Sequence, residues 1–356
     1  MGQQKLRTAL IGVDTGGQLF LEAASGTDYF QIAAVADRDG KAAEAVAERY
    51  ECAAYDDYRR LIIQNEFDCL LVAAGLHSCD EHVRAAMRKK CNVLKAPPMA
   101  RAFEEAAGFA QLAADEDVKF AVANPERFSK SFLALRTFLG GERIEHVLLV
   151  TAFCSVAAER RSAWQSDPKL AGGGILLYDC YEIIDQIVSN FGLAEVAYSL
   201  VTNTAGDRQQ RLSLTEDMAV VTLRFADGLV GNVIASRHCE VGAEQEILRV
   251  YGKNTILKVG NNRFSVSDGC GQIEEKSEFE DDMLSRMKQV LENFALSIIS
   301  PDENELCSSG AENLSNMAVI EAAYLSARTG MPEEPGRILQ MAGDEIVNPA
   351  HVRPGQ

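Results

Sequence analysis

Five short apolar runs recur across the first 124 positions: RTALIGV from Arg7, QIAAVAD from Gln31, DCLLVAAG from Asp68, NVLK from Asn92 and KFAVAN from Lys119. None alternates polar with apolar residues, and stretches of helical periodicity such as GKAAEAVAERY and AFEEAAGFAQLAADED lie between them. A strand without alternation is buried on both faces, which requires helices above and below a parallel sheet. Right-handed crossovers then lead to a doubly wound sheet.

From about Pro125 the rhythm changes. After a helical stretch near Ser129–Leu139, strand-like runs follow one another: IEHVLLVTAF, VAYSLVTN, MAVVTLRFA, LVGNVIAS, EILRVYG, NTILKV and RFSVSD. Asp227-Gly228 and Gly260-Asn261 are hairpin signals. Helices are expected near Ile175–Asn190, Phe279–Ser300 and Ser308–Thr329. The expected architecture is α/β. Residues 1–124 form a doubly wound parallel sheet, residues 125–340 an α+β domain with a large, mainly antiparallel open sheet, and residues 341–356 a tail.

Charge and cysteine usage narrow the function classes. A formal charge of −17 repels phosphate backbones and anionic lipid, which argues against nucleic-acid and membrane partners. Nine cysteines lie singly, with no C-x-x-C pair, so neither a disulfide framework nor a structural zinc site is expected. No apolar run reaches eighteen residues, and the N-terminus has no signal-peptide pattern. Gly2 is not a myristoylation site, because Leu6 stands where Ser or Thr is required. A cytoplasmic protein without a metal is the expectation.

The first turn reads Gly12-Val13-Asp14-Thr15-Gly16-Gly17, after a strand and opening a helix. Gly12 and Gly17 fit the outer glycines of the G-x-G-x-x-G dinucleotide fingerprint, and Asp14 replaces the middle one. That substitution places a side chain, and a negative charge, where backbone should approach a pyrophosphate. Asp37 ends the second run twenty residues after Gly17. There a carboxylate accepts the ribose hydroxyls of NAD, while the adjacent Arg38 would tolerate the 2′-phosphate of NADP. The alternative is a strand-turn-helix whose glycines serve geometry alone.

The chain resembles the glucose–fructose oxidoreductase and inositol dehydrogenase family, Gfo/Idh/MocA. AWQSDPKLAGGGILLYDCYEIIDQI looks like that family's tryptophan, Asp-Pro, triple-glycine and helix segment. DMAVVTLRFADGLVGNV looks like its central hairpin, and SSGAENLSNMAVIEAAYLSARTGMP like its C-terminal helix. The likeness covers most of residues 6–332. It implies a Rossmann-type first domain, NAD or NADP as cofactor with NAD favoured, a sugar-like or cyclitol-like polyol substrate, and a homodimer or homotetramer paired through the C-terminal sheet.

The resemblance breaks at the chemistry. The family's fourth strand usually ends Glu-Lys-Pro; aligning NVLKAPPMA on Pro98 puts Ala96 and Pro97 at the glutamate and the lysine. The family's Asp, Gly and His after the triple glycine correspond to Tyr178, Cys180 and Glu182. Alcohol oxidation needs a group to take the hydroxyl proton, and a positioned base is worth roughly 10²–10⁴ in rate. Lys95, two residues before Pro97, shares its strand face, and Tyr178 and Glu182 are four apart on an expected helix. Lys95, Tyr178 and Glu182 are therefore the candidate catalytic set; packing and solvation are their bland alternatives.

The resemblance also places Ala73 and His77 beside the cofactor, with a surface-loop histidine as the alternative for His77. It places Asn124, Arg127, Trp164, Asp179 and Asp185 near substrate. Gly172–Gly174 serve backbone geometry at a helix entrance. Two function classes stay open: an oxidoreductase with an altered catalytic set, and a non-catalytic relative acting as a partner subunit or ligand-binding module. A third, an interaction protein without cofactor, gains if Asp14 blocks the pyrophosphate.

Overall fold

The computed structural model describes residues 5–141, 143–156, 163–205, 214–237 and 246–343. Most of the tail expected over 341–356 lies outside these residues. The chain forms two compact units. One comprises residues up to Ala100 with Glu105–Pro125 and Asp282–Asn313; the other comprises Arg101–Glu104, Glu126–Asp281 and the residues from Leu314 onward.

The first unit is built on six parallel strands: β1 (Leu6–Ile11), β2 (Phe30–Ala36), β3 (Ala53–Tyr55), β4 (Cys69–Val72), β5 (Asn92–Lys95) and β6 (Phe120–Val122). Their spatial order is β3-β2-β1-β4-β5-β6, the doubly wound order whose reversal point lies between β1 and β4. Leu10, Ile11, Leu70, Leu71 and Val72 are fully buried, which explains why these runs show no alternation. Burial of each such side chain stabilises by roughly 1.5–3 kcal/mol. At the strands' C-terminal ends the register aligns Ile11, Val72, Lys95 and Val122 in one cross-sheet row.

The helix Met283–Ile299 packs on this unit although it follows the second sheet in sequence. It lies against the helix Thr15–Ser25 so closely that a Cβ at Gly26 would fall 2.4 Å from Lys288 Cε.

The second unit holds eight strands: β7 (Leu149–Ser155), β8 (Val196–Thr202), β9 (Met218–Arg224), β10 (Val230–Ser236), β11 (Glu246–Tyr251), β12 (Thr255–Gly260), β13 (Arg263–Asp268) and β14 (Ile273–Glu278). The order is β14-β13-β12-β11-β7-β10-β9-β8, antiparallel except between β7 and β10. Here alternation is clean. On β9, Ala219, Val221 and Leu223 are buried while Val220, Thr222 and Arg224 face out. The turn between β9 and β10 places Asp227 and Gly228 at φ of 59° and 80°, both in the left-handed region.

Two expectations change. The first strand-like run after Pro125 enters the sheet only at Leu149, and His146 ahead of it sits at φ 43°. The single helix expected over Ile175–Asn190 is two, Ile175–Tyr178 and Tyr181–Phe191. The carbonyl of Ile175 accepts from both Asp179 N and Cys180 N, at 3.0 Å each, and this shared acceptor ends the first helix. Tyr178 and Glu182 therefore stand on different helices.

Part of the chain's acidity is structural. Asp14, Asp39, Asp57, Asp167 and Asp282 each cap a helix by accepting from a first-turn amide. A cap of this kind contributes about 1 kcal/mol.

Candidate active site

In the first unit, the glycine turn is dictated by contact. Gly12 has φ +87°, and a Cβ there would lie 2.5 Å from Ala74 N. A Cβ on Gly17 would lie 2.0 Å from Gly12 O. Neither position accepts a side chain, whereas Gly16 would meet only ordinary contacts. Ala73 N donates to Ile11 O at 2.9 Å, fixing the neighbouring strand end against the turn.

Asp14 is exposed, and its Oδ1 accepts from Gly17 N at 3.2 Å. Its carboxylate thus caps the helix terminus at which a pyrophosphate binds in such folds. Asp37 closes the loop from the other side: Oδ2 accepts from Val13 N and Oδ1 from Asp39 N, both at 2.9 Å. Arg38 is exposed. Burial and then the charge of Asp37 push the neighbouring Tyr58 up to about 12, so its phenol stays protonated. The tight Gly12–Gly17 turn and the anchored Asp37 fit a dinucleotide; Asp14 is the one departure.

Lys95 ends β5 as a cation inside an apolar row, 2% exposed. Its Nζ donates to Pro98 O at 3.0 Å. Burial lowers its pKa, and Cys79, Asp80 and Glu105 oppose that shift. His77 is half-buried on the turn Leu76–Ser78 after β4. Asn124 is buried, its Nδ2 donating to Ser308 Oγ at 2.9 Å and to Asn313 Oδ1 at 3.2 Å.

In the second unit, Trp164 and Tyr178 meet edge to face, with ring centroids 6.1 Å apart. The Tyr178 hydroxyl donates to Ala171 O at 2.8 Å. Asp179 pairs with Arg237, and its carbonyl accepts from the Cys154 thiol at 3.3 Å. Cys180 hydrogen-bonds to that same thiol, which together with burial pushes Cys180 well above the ordinary thiol range. Glu182 is half-buried in the first turn of Tyr181–Phe191. Arg127 and Asp185, both expected near substrate, are joined to each other by two hydrogen bonds of 2.7 Å.

The triple glycine is a cradle. A Cβ would fall 2.3 Å from Arg101 O at Gly172, 2.1 Å from the Tyr324 hydroxyl at Gly173, and 1.9 Å from Glu216 O at Gly174. Glu216 Oε1 accepts from Gly174 N, Leu176 N and the Tyr324 hydroxyl at 2.9, 3.1 and 2.8 Å. Its main-chain carbonyl takes Ile175 N at 3.1 Å. Arg237, Glu216, Tyr324 and Asn316 were not singled out from sequence. Their partners lie 40 or more residues away, and no local pattern marks them.

Among the described residues, no group of three or more His, Cys, Asp or Glu side chains is placed to hold a metal. No described helix is long and apolar enough to cross a membrane.

A doubly wound sheet with a dinucleotide turn, followed by an open-sheet α/β domain, defines the class of two-domain nicotinamide oxidoreductases. Residues 6–124 match the model of the oxidoreductase family's NAD-binding Rossmann fold, and residues 136–334 match that of its C-terminal alpha/beta domain. The chain belongs to the Gfo/Idh/MocA oxidoreductase family.

Among curated relatives, inositol 2-dehydrogenase of Rhizobium meliloti (strain 1021) is 25% identical over 327 residues, covering 90% of this chain and 96% of the relative. D-apiose dehydrogenase of Rhizobium rhizogenes is 23% identical over 364 residues, 95% and 100% of the two chains. Among solved structures, an oxidoreductase from Agrobacterium radiobacter in complex with NAD+, L-tartaric acid and magnesium superposes with a TM-score of 0.81 at 19% identity, covering 94% of this chain and 100% of that one. Levoglucosan dehydrogenase with NADH and levoglucosan gives 0.81 at 18% identity, covering 93% and 99%. At these identities the structural likeness establishes the fold.

Proposed function

We propose that this chain oxidises a CH–OH group of a carbohydrate-like or cyclitol-like polyol with NAD, using Lys95, Tyr178 and Glu182 in place of the family's usual catalytic residues. The observation that carries the reading is Lys95. It stands at the C-terminal edge of a parallel sheet, where such sheets bind their ligands, and burial lowers its pKa. A desolvated lysine gives up its proton closer to neutral pH, which is what a residue exchanging a substrate proton needs.

Bound nicotinamide supplies the hydride acceptor. The chain's own residues do the rest. Gly12 and Gly17 admit the dinucleotide backbone, and Asp37 addresses the ribose hydroxyls, favouring NAD over NADP. Lys95 holds or takes the hydroxyl proton. The Trp164–Tyr178 pair offers an aromatic wall to the C–H face of a polyol, while Glu182 and Asp179 supply hydrogen-bond acceptors. Asn124 and Arg127 act through the side chains they hold.

The second reading, a non-catalytic cofactor- or ligand-binding relative, is supported by one observation. The Lys95 ammonium and the Tyr178 hydroxyl each already donate to a main-chain carbonyl. Calorimetric titration with NADH and with NADPH, followed by turnover on a polyol panel including inositol and apiose, separates the two. Lys95→Ala and Glu182→Ala are each expected to lower turnover by roughly 10²–10⁴ with cofactor affinity unchanged. Turnover surviving both changes would remove the assignment. Saturable cofactor binding with no turnover on any polyol would favour the second reading.

Cytoplasmic residence and a homo-oligomer complete the proposal. Leu200, Val220 and Ile234 are exposed and form one cross-strand row on β8, β9 and β10. An apolar row on an open sheet suits a second copy of the chain. Monomeric sedimentation at micromolar concentration would count against it.

A further inference from the structure

The four-residue helix Ile175–Tyr178 cannot cap itself. Its N-cap is Gly174, which has no side chain, yet the helix carries Tyr178 and leads into Asp179. Unsatisfied first-turn amides need an acceptor when they are buried. Glu216, from the segment preceding β9, supplies one for three successive amides: its side chain takes Gly174 N and Leu176 N, and its carbonyl takes Ile175 N.

The residue before it holds the other side of the aromatic pair. Thr215 N donates to Ser166 O at 3.2 Å and Thr215 Oγ1 to Gln165 O at 3.0 Å, anchoring the turn that carries Trp164. Tyr324 closes the arrangement from the helix Gly310–Thr329, donating its hydroxyl to the same Glu216 oxygen. Thr215 and Glu216 are buried, and Tyr324 is half-buried. The Cβ clashes at Gly173 and Gly174 show that the loop is fitted to these partners.

We infer that Glu216 is a positioning residue: as a remote N-cap it fixes the Gly172–Gly174 loop so that Tyr178 stands against Trp164. The inference rests on the proposed function only in giving that aromatic pair a substrate to meet. The functional element is the Oε1 acceptor, so glutamine should replace glutamate and alanine should not.

Trp164 is the chain's one tryptophan, so its emission reports this pair without any substrate. In the full-length protein, Glu216→Ala is expected to red-shift Trp164 emission and increase its quenching by acrylamide. Glu216→Gln is expected to keep the wild-type spectrum. NADH affinity should stay within about twofold in both, because Glu216 lies in the unit that does not carry the glycine turn. Wild-type emission and quenching in Glu216→Ala would overturn the inference, as would Glu216→Gln being displaced as far as alanine. Should Glu216→Ala lose its cooperative thermal transition, Glu216→Asp takes its place. One methylene shorter, it fails to span the two amides and is expected to show the displaced spectrum; a wild-type spectrum overturns the proposal. Failure of polyol turnover in the wild type would remove the oxidoreductase reading and leave this result standing.

Discussion

Arg127 and Asp185 form a two-pronged ion pair: Nε donates to Oδ2 and Nη2 to Oδ1, both at 2.7 Å. Asn316 Nδ2 adds a third bond to Oδ1 at 2.7 Å, and the Asp185 side chain is 1% exposed. Removing one partner of a buried pair strands the other charge, at a cost of about 3–5 kcal/mol. Asp185→Ala is therefore expected to lose that much unfolding free energy in urea. The Arg127→Met, Asp185→Leu double variant should recover most of it. A loss below about 1 kcal/mol, the value of an exposed pair, would free Asp185 for a direct substrate role.

Asp14 separates two effects that alanine would merge. Asparagine caps a helix about as well as aspartate, so Asp14→Asn should leave stability unchanged while removing a charge from the pyrophosphate end of the helix. Even at the dielectric of bulk water that charge is worth about 1 kcal/mol at close range, so NADH should bind at least roughly fivefold tighter. The gain should shrink as salt is raised. Calorimetry at two ionic strengths checks both; unchanged affinity at low salt would place the pyrophosphate away from Asp14.

The proposed reading makes Asp37 the residue that favours NAD over NADP. Its carboxylate is held by Val13 N and Asp39 N, beside exposed Arg38. On that reading Asp37→Ser would delete the acceptor of the ribose hydroxyls and the charge that repels a 2′-phosphate. Hydrogen bonds to a charged group are worth about 1.5–3 kcal/mol, so the NADH-to-NADPH affinity ratio should fall by at least roughly tenfold. Parallel titrations with the two cofactors decide it, and an unchanged ratio would assign selectivity to another residue.

The first sheet was legible because each of its long strands is buried on both faces, and continuous apolar runs have no other use in a domain of this size. Two strands were not anticipated, for one reason. β3 has three residues and β14, IEEKSE, is exposed throughout, so neither carries a burial pattern. The charges of β14 protect a sheet edge from pairing, and a charged edge reads as a loop. At the candidate site, glycines and strand ends were visible because their geometry is local: Gly12, Gly17 and Asp37 all act within one βαβ unit. Glu216 and Arg237 were not. Each serves the Tyr178–Asp179 segment from a distant point in the chain, and a carboxylate ahead of a strand looks like any solvated one.

Glu216 gives the stability curve a recognisable slope. Burial raises its pKa, against the downward pull of the Tyr324 hydroxyl and the amides that donate to it. An unfolded chain releases this proton near pH 4.3, whereas the folded chain keeps it to higher pH. Between those two values the folded state binds more protons, so stability falls as pH rises. The favourable contribution is fully present below the unfolded pKa and is lost as pH passes through the folded one. Glu216→Gln retains an Oε1 acceptor and has nothing to titrate. The stability advantage of wild type over Glu216→Gln is therefore expected to decline as pH rises above the unfolded value, and to level off once the folded carboxyl is ionised. Tyr324, pushed well above its ordinary range by burial and by Glu216, stays a donor throughout and adds no slope of its own there. Urea unfolding of both proteins across this range tests the account. Two parallel curves would mean that Glu216 has the same pKa folded and unfolded, the three donors at Oε1 just offsetting its desolvation; an advantage that rises with pH would mean that they outweigh it.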